Sequence, residues 1–383
     1  MDHVKLVVTS TFGLEAVIKR ELQDLGFDKF SVVDGRIEFD ALVADIPRLN
    51  IHLRSADRVL VKLGEFPAMD FGELFDRTKE LPWEEWITPD AKLTVVGKCV
   101  RSQLESVRSS QSIAHKAVIE RLKSKFNIDW LSGTGPEYTI QVAILKDVAH
   151  LTLDTSGAGL HKRGYRVSTG EVPIRENLAA AMVQLTFWKK DRLLMDPMCG
   201  SGTILIEAAM IARNMAPGLK RVFDAEHWPV VKRSFWDDAR AKAVAMILPS
   251  GGLKILGYDI DPERIKDARA NAKKAGVADD ITFECKDIND LWIHEAHGIV
   301  ISNPPYGVKL GSLKELTPIY ITIHNMFKNK PGWSLYILTA DGRFPDFFKR
   351  AKPDRVRKLF NGTIEVNYYQ YHGERPREGQ VVA

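Results

Sequence analysis

The chain has 383 residues, a formal net charge of +4, 45% hydrophobic and 27% charged residues, and three cysteines. This length predicts two or three domains, and the composition is that of a globular chain, excluding fibrous and low-complexity classes. The mild positive charge is compatible with a nucleic-acid partner and equally with a basic enzyme of another kind, and scattered Cys99, Cys199 and Cys285 suggest neither a disulfide framework nor a metal site.

The N-terminus, MDHVKLVVTSTFGLEAVIKREL, lacks the basic start and apolar run of a signal peptide, and no stretch approaches 18 uninterrupted apolar residues. A cytoplasmic protein is therefore expected. Residues 4–9 read as a strand. Residues 12–25 carry Leu14, Val17, Ile18, Leu22 and Leu25 at helical spacing, with Gly26 where a C-cap belongs. A short strand, a turn at Asp34-Gly35 and the alternating strand RIEFD follow. A helix near 42–53 and a strand near 57–66 complete a βαββαβ order, that of a ferredoxin-like module. Further on, 70–86 reads as helix, 93–99 as strand and 109–126 as a long helix. Residues 138–155 read as a hairpin turning at Lys146-Asp147.

From about residue 157 the pattern changes. A helix over 175–190 leads to the strand RLLMD, a Gly-rich turn and a helix over 203–215. Strands recur at 254–259, 281–287, 298–305 and 334–340 with helices between them. That alternation predicts a parallel sheet covered on both faces.

The first chemical signal is the run Leu-Leu-Met-Asp-Pro-Met-Cys-Gly-Ser-Gly-Thr at 193–203. Gly200 and Gly202 allow a tight turn and close approach of a ligand to backbone, outside the carboxyl end of a strand. A plain strand-to-helix turn would use the same residues. Two more strand ends narrow the choice. Asp259 stands where a carboxylate can hold both ribose hydroxyls, and Asp287 where one can accept from an adenine amino group. Together they suit a nucleoside-shaped ligand. NAD is the rival, but the third glycine of G-x-G-x-x-G is missing and the acidic residue lies far more than about 20 residues on.

The next signal is Asn303-Pro304-Pro305-Tyr306, followed by Gly307, at the end of the fourth strand. Two prolines fix two φ angles and remove two N–H groups. What remains is a rigid turn presenting carbonyl oxygens, an amide and an aromatic ring. An exocyclic amine on a nucleobase is a poor nucleophile, because its lone pair is delocalised into the ring. The Asn303 amide oxygen and the Pro304 carbonyl can each accept one amine N–H and stabilise the positive charge that develops on nitrogen. Tyr306 can stack on the extruded base.

DPMCGSGT, GYDID and NPPYG, with LHKRGYR (160–166) and PIRENLAAAM (173–182) upstream, resemble the bacterial THUMP-domain RNA methyltransferases, in particular the large-subunit ribosomal RNA guanine-N2 type. The resemblance covers essentially the whole chain and includes the insert around Ala216-Pro217-Gly218 and His227-Trp228. It implies an α/β fold: a Rossmann-like class I methyltransferase domain (157–383) preceded by a ferredoxin-like module (1–62) and a THUMP RNA-binding domain (63–156). It implies S-adenosylmethionine as cofactor, without metal. Asp196, Cys199, Gly200, Gly202 and Thr203 would line its methionine end, with Asn177 near. Asp259 with Ile260 would hold the ribose, Asp287 with Ile288 the adenine, and Asn303 to Tyr306 the target amine. The tetrapeptide by itself does not separate guanine N2 from adenine N6, cytosine N4 or a glutamine side-chain amide.

Lys98, Arg101, Arg108 and Lys116 lie among serines at a strand-to-helix junction, a composition that suits phosphate contacts. His161, Lys162, Arg163, Tyr165 and Arg166 form a second cluster, for which the resemblance favours substrate or interdomain work. A third run, Arg343 to Lys358, fits RNA contact and solvated surface equally. The expected substrate is structured RNA, ribosomal before transfer RNA, with DNA adenine-N6 methylation more distant.

Overall fold

The computed structural model describes residues 3–33, 35–167, 174–305, 313–349 and 352–374. Asp34 of the expected Asp34-Gly35 turn lies outside them. The chain divides into two compact units. The first comprises Met1–Ser10, Leu22–Leu160 and Gly218–Ala243; the second comprises Thr11–Glu21, His161–Pro217 and Val244–Ala383. Each contains a seven-stranded sheet.

In the first unit the order is β1 (His3–Thr9), α1 (Glu15–Asp24, whose last turn belongs here), β2 (Ser31–Val33), β3 (Arg36–Leu42), α2 (Asp45–His52) and β4 (Arg58–Pro67). Gly26 takes φ +89 after α1, as a helix C-cap requires. These four strands pair antiparallel in the spatial order β2-β3-β1-β4, the ferredoxin-like arrangement that the element order predicted. The sheet does not stop there. α3 (Phe71–Glu80), β5 (Lys92–Val100), α4 (Val107–Phe126), β6 (Glu137–Leu145) and β7 (Val148–Asp154) follow, and β7 pairs with β4 on the side away from β1. The expected boundary between residues 62 and 63 thus falls inside a strand that the two modules share.

Local chemistry accounts for these elements. The Asp70 carboxylate accepts the Glu73 N–H at 2.8 Å and starts α3, and the Ser106 hydroxyl accepts the Ser109 N–H at 3.2 Å and starts α4. Lys146 and Asp147 take φ +49 and +63, the left-handed pair that a two-residue hairpin turn needs.

The second unit begins with α5 (Glu176–Gln184), β8 (Leu194–Asp196) and α6 (Thr203–Ala212). Leu14 and Val17 belong to this unit's core rather than to the ferredoxin-like module. Gly218–Ala243, expected within a continuous 157–383 domain, packs instead in the first unit and contains most of α7 (Arg233–Ala245). The reason is its aromatic content: Trp228 stacks on Tyr138 at 4.8 Å and donates to the Glu137 carbonyl, and Phe223 stacks on Trp236 at 5.4 Å.

After that excursion come β9 (Ile255–Asp259), α8 (Pro262–Ala275), β10 (Thr282–Cys285), β11 (Gly298–Ser302), α9 (Leu313–Phe327), β12 (Trp333–Thr339), β13 (Arg355–Asn361) and β14 (Ile364–Tyr371). The sheet order is β10-β9-β8-β11-β12-β14-β13. The first five are parallel as expected, and β11 and β12 are buried along their whole length, as strands covered on both faces are. The last two, which sequence reasoning missed, form an antiparallel hairpin on the edge. Arg355, Arg357 and Lys358 of the basic run lie on β13. Among the described residues no helix is long and apolar enough to cross a membrane.

Candidate active site

The chain lays down β8, then β9 and β10 to one side, and returns to the other side of β8 with β11 and β12. Such a reversal opens a crevice above the carboxyl ends of the two strands that flank it. Four strand ends meet there in the order β10, β9, β8, β11, carrying Asp287 just beyond Cys285, then Asp259, Asp196 and Asn303. With strands about 4.8 Å apart, the row spans about 14 Å, the length of a nucleoside joined to an amino acid.

At the end of β8 the chain turns through Gly200 (φ +54) and Gly202 (φ +79). A Cβ on Gly202 would stand 2.8 Å from the Phe283 ring. The Gly200 N–H donates to Asp259 Oδ2 at 2.9 Å, and the Asp261 N–H donates to Oδ1 at 3.0 Å. The Asp259 carboxylate is therefore fixed in direction, and each oxygen keeps acceptor capacity for a hydroxyl. Asp287 caps the short turn after β10, accepting from the Asn289 backbone and side-chain amides through Oδ1. Beside these carboxylates Ile260 is 66% exposed, an apolar surface at the end of β9, whereas Ile288 is buried.

Asp196 is only 2% exposed. Its Oδ1 accepts the Ser302 hydroxyl at 2.7 Å and the Met198 N–H at 3.1 Å, and no cation pairs with it among the described residues. Burial, reinforced by the nearby Asp259 charge, pushes its pKa up to about 7. Burial also drives the Cys199 thiol well up, so this cysteine is a packed apolar group rather than a nucleophile. Thr203 and Asn177, at the starts of α6 and α5, are buried as well.

Asn303 follows Ser302 directly. Its Oδ1 is shielded from solvent and has no hydrogen-bond partner among the described residues. A buried acceptor left empty is costly, and this oxygen can take a donor from a bound ligand. Pro304 is buried and Pro305 half-buried. Tyr306 and Gly307 lie outside the described residues.

The expected RNA contacts divide. Lys98 on β5, Arg101 just beyond it, and Arg108 and Lys116 on α4 are all exposed on the first unit. Lys162 is exposed on the second. Arg163 and Tyr165 are not available to RNA: they are 5% and 4% exposed, and both reach Glu207 Oε1 on α6, at 3.4 and 3.2 Å. They anchor the start of the second unit, which corrects the role expected of them. Arg166 pairs with Glu176 at 2.6 Å, and burial lowers the His161 pKa to about 4, so it is neutral. Sequence reasoning also passed over Ser302, whose only signal is a hydroxyl at the end of an otherwise apolar strand.

Comparison with known proteins adds to this geometry. Residues 163–370 match the family model of the RMKL-like methyltransferase domain, 5–60 that of the RlmL ferredoxin-like domain, and 68–154 that of the THUMP domain. A Bacillus subtilis (strain 168) protein named "Putative RNA methyltransferase YpsC" is 42% identical over 374 residues, 97% of this chain and 96% of its own length. A crystal structure from Listeria monocytogenes, described as a predicted N6-adenine-specific DNA methylase, is 42% identical with a TM-score of 0.92, over 98% of this chain and 97% of that one. Another, of "SMU.472, a putative methyltransferase complexed with SAH", is 38% identical with a TM-score of 0.93, over 98% and 100%.

The turn after β8 depends on Gly202 for both its φ and its room. Gly202→Ala is expected to lower stability by roughly 1–3 kcal/mol through left-handed strain and the clash with Phe283. A shift in the denaturant midpoint measures this, and an unchanged midpoint would show that the turn relaxes freely.

Proposed function

The chain belongs to the RMKL-like methyltransferases, with an RlmL-type ferredoxin-like domain and a THUMP domain ahead of the catalytic one, and we propose that it transfers a methyl group from S-adenosylmethionine to the exocyclic N2 of a guanine in ribosomal RNA of the large-subunit (23S) type. The observation that carries this reading is the empty, buried Asn303 Oδ1 beside the reversal of strand order. It is an acceptor waiting for an N–H donor, and a base amine is one.

S-adenosylmethionine, when bound, supplies an electrophilic methyl on a positively charged sulfur. The residues present fit it: Asp259 offers two oriented oxygens to vicinal hydroxyls, Ile260 an apolar face, Asp287 an acceptor, and Gly200 and Gly202 a turn without side chains. The SAH complex of SMU.472 supports the assignment by likeness. Asn303 Oδ1 and the Pro304 carbonyl would accept the two amine hydrogens and so orient the nitrogen for methylation, and the stacking role expected of Tyr306 falls outside the described residues. None of these groups needs to act as a strong general base.

RNA rather than DNA is favoured by the THUMP domain and by the name of the Bacillus relative. The Listeria description favours DNA adenine instead, and the Asn303 chemistry serves both. Guanine N2 and ribosomal RNA rest on the motif resemblance. Lys98, Arg101, Arg108, Lys116 and Lys162 would contact phosphates and grip structured RNA by shape.

Three measurements test this reading. Nucleoside mass spectrometry of RNA and DNA from a deletion strain is expected to show loss of N2-methylguanosine from ribosomal RNA. Loss from transfer RNA would move the substrate, and loss of N6-methyladenine from DNA would overturn the base assignment. Asp259→Ala is expected to weaken S-adenosylmethionine binding by about 1–3 kcal/mol in calorimetry, with undiminished binding excluding the ribose role. Asn303→Ala is expected to reduce single-turnover methyl transfer about 100-fold while RNA affinity barely moves, and Asn303→Asp, which keeps an acceptor, to retain more activity than Ala. Near-wild-type rates in both variants would reduce the tetrapeptide to a structural turn.

A further inference from the structure

Asp196 combines three features that a structural aspartate lacks. It is buried, its hydrogen bonds come from neutral donors, and the next strand end carries a second carboxylate, Asp259. Four other buried acids contrast with it: Asp154 is paired with Arg58, Asp280 with Arg213, Glu207 with Arg163 and Glu176 with Arg166. A buried carboxylate without a counter-charge is costly, and a site keeps one where a ligand brings the missing charge. Ser302, the residue before Asn303, donates to this carboxylate, so it stands beside the expected transfer centre.

We infer that Asp196 is the residue that recognises the cofactor by its positive charge: it is partly protonated in the empty site at neutral pH, ionises fully when the sulfonium form binds, and so favours that form over its product with an uncharged sulfur. The inference rests on the reading of the crevice as an S-adenosylmethionine site. Its raised pKa, about 7, puts the titration within reach of ordinary buffers. On the elements packed against β8 the titratable groups are Asp259 and Tyr258 on β9, Cys199 in the turn, Glu207 on α6 and Glu176 on α5. Asp259 raises Asp196, and Cys199 stays a neutral thiol. Tyr258 is held neutral by burial, and Glu207 and Glu176 face Arg163 and Arg166. Asp196 is thus the group poised to exchange a proton as a cation enters.

The test is calorimetry of the full chain with S-adenosylmethionine and, separately, S-adenosylhomocysteine, in buffers of different ionisation enthalpy. Wild type is expected to release about half a proton on binding S-adenosylmethionine near pH 7 and clearly less on binding the homocysteine form. Affinity for the methylated form is expected to fall toward 10-fold per pH unit below the titration. In Asp196→Asn the proton release disappears and the preference for the charged form shrinks. Ser302→Ala, which removes a hydrogen bond that favours the ionised state, moves the titration to higher pH and keeps the proposal testable if the Asn variant folds poorly. No proton release, release that persists in Asp196→Asn, or equal release with both ligands would overturn the inference. Failure to bind either ligand at any pH would instead overturn the cofactor assignment itself.

Discussion

The reversal of strand order beside β8 is the constraint on which the second unit's chemistry depends. Had β11 been added beyond β10, the four polar strand ends would lie in sequence order with no crevice among them, and Asn303 would stand far from Asp196. Because the chain returns to the other side of β8, Asp196 and Ser302, 106 positions apart along the chain, end neighbouring strands, and the Ser302 hydroxyl donates to the Asp196 carboxylate at 2.7 Å. Both β11 and β12 are buried along their whole length, and β11 pairs in parallel with β8 at Ile299–Leu194 and Val300–Met195.

The first unit solves a different problem. Four strands of a ferredoxin-like order leave β4 as an edge, and an edge strand with unpaired backbone groups is a liability. Here β7 closes that edge, and β6 and β5 extend the sheet further. The Gly218–Ala243 insertion belongs with this unit because its tryptophans find aromatic and carbonyl partners there. Gly218 makes the entry possible: its N–H donates to the Ile51 carbonyl at 2.9 Å, and a Cβ would stand 2.7 Å from the Asn50 carbonyl.

Much of this was legible in the sequence wherever the cause is local. Gly26, Gly200 and the Lys146-Asp147 turn need only neighbouring backbone to explain them, and Asp259 at a strand end announces its own direction. Arg163 and Tyr165 were misread because their partner, Glu207, lies more than 40 residues on. A cation next to an aromatic looks the same in sequence whether it faces solvent or a buried carboxylate. The β13–β14 hairpin was hidden for a related reason: its charges, Arg355, Arg357 and Lys358, drew the reading toward surface contact and masked the buried positions on the partner strand. The insertion defeated the domain division because its membership depends on Tyr138 and Trp228, which no local pattern joins.

The identity of residue 303 follows from the electrostatics of its neighbours. The crevice already holds three carboxylates, Asp287, Asp259 and Asp196, the last buried without a counter-charge. A fourth carboxylate at the end of β11 would add like-charge repulsion, raise the pKa of the group and make its ionisation depend on whether a cation is bound. An amide avoids all three effects. Its oxygen accepts an N–H without any change in its own charge. On the readings proposed above, a neutral acceptor beside Asp196 would separate two tasks in one crevice: Asp196 would answer to the charge of the cofactor, and Asn303 to the hydrogens of the base.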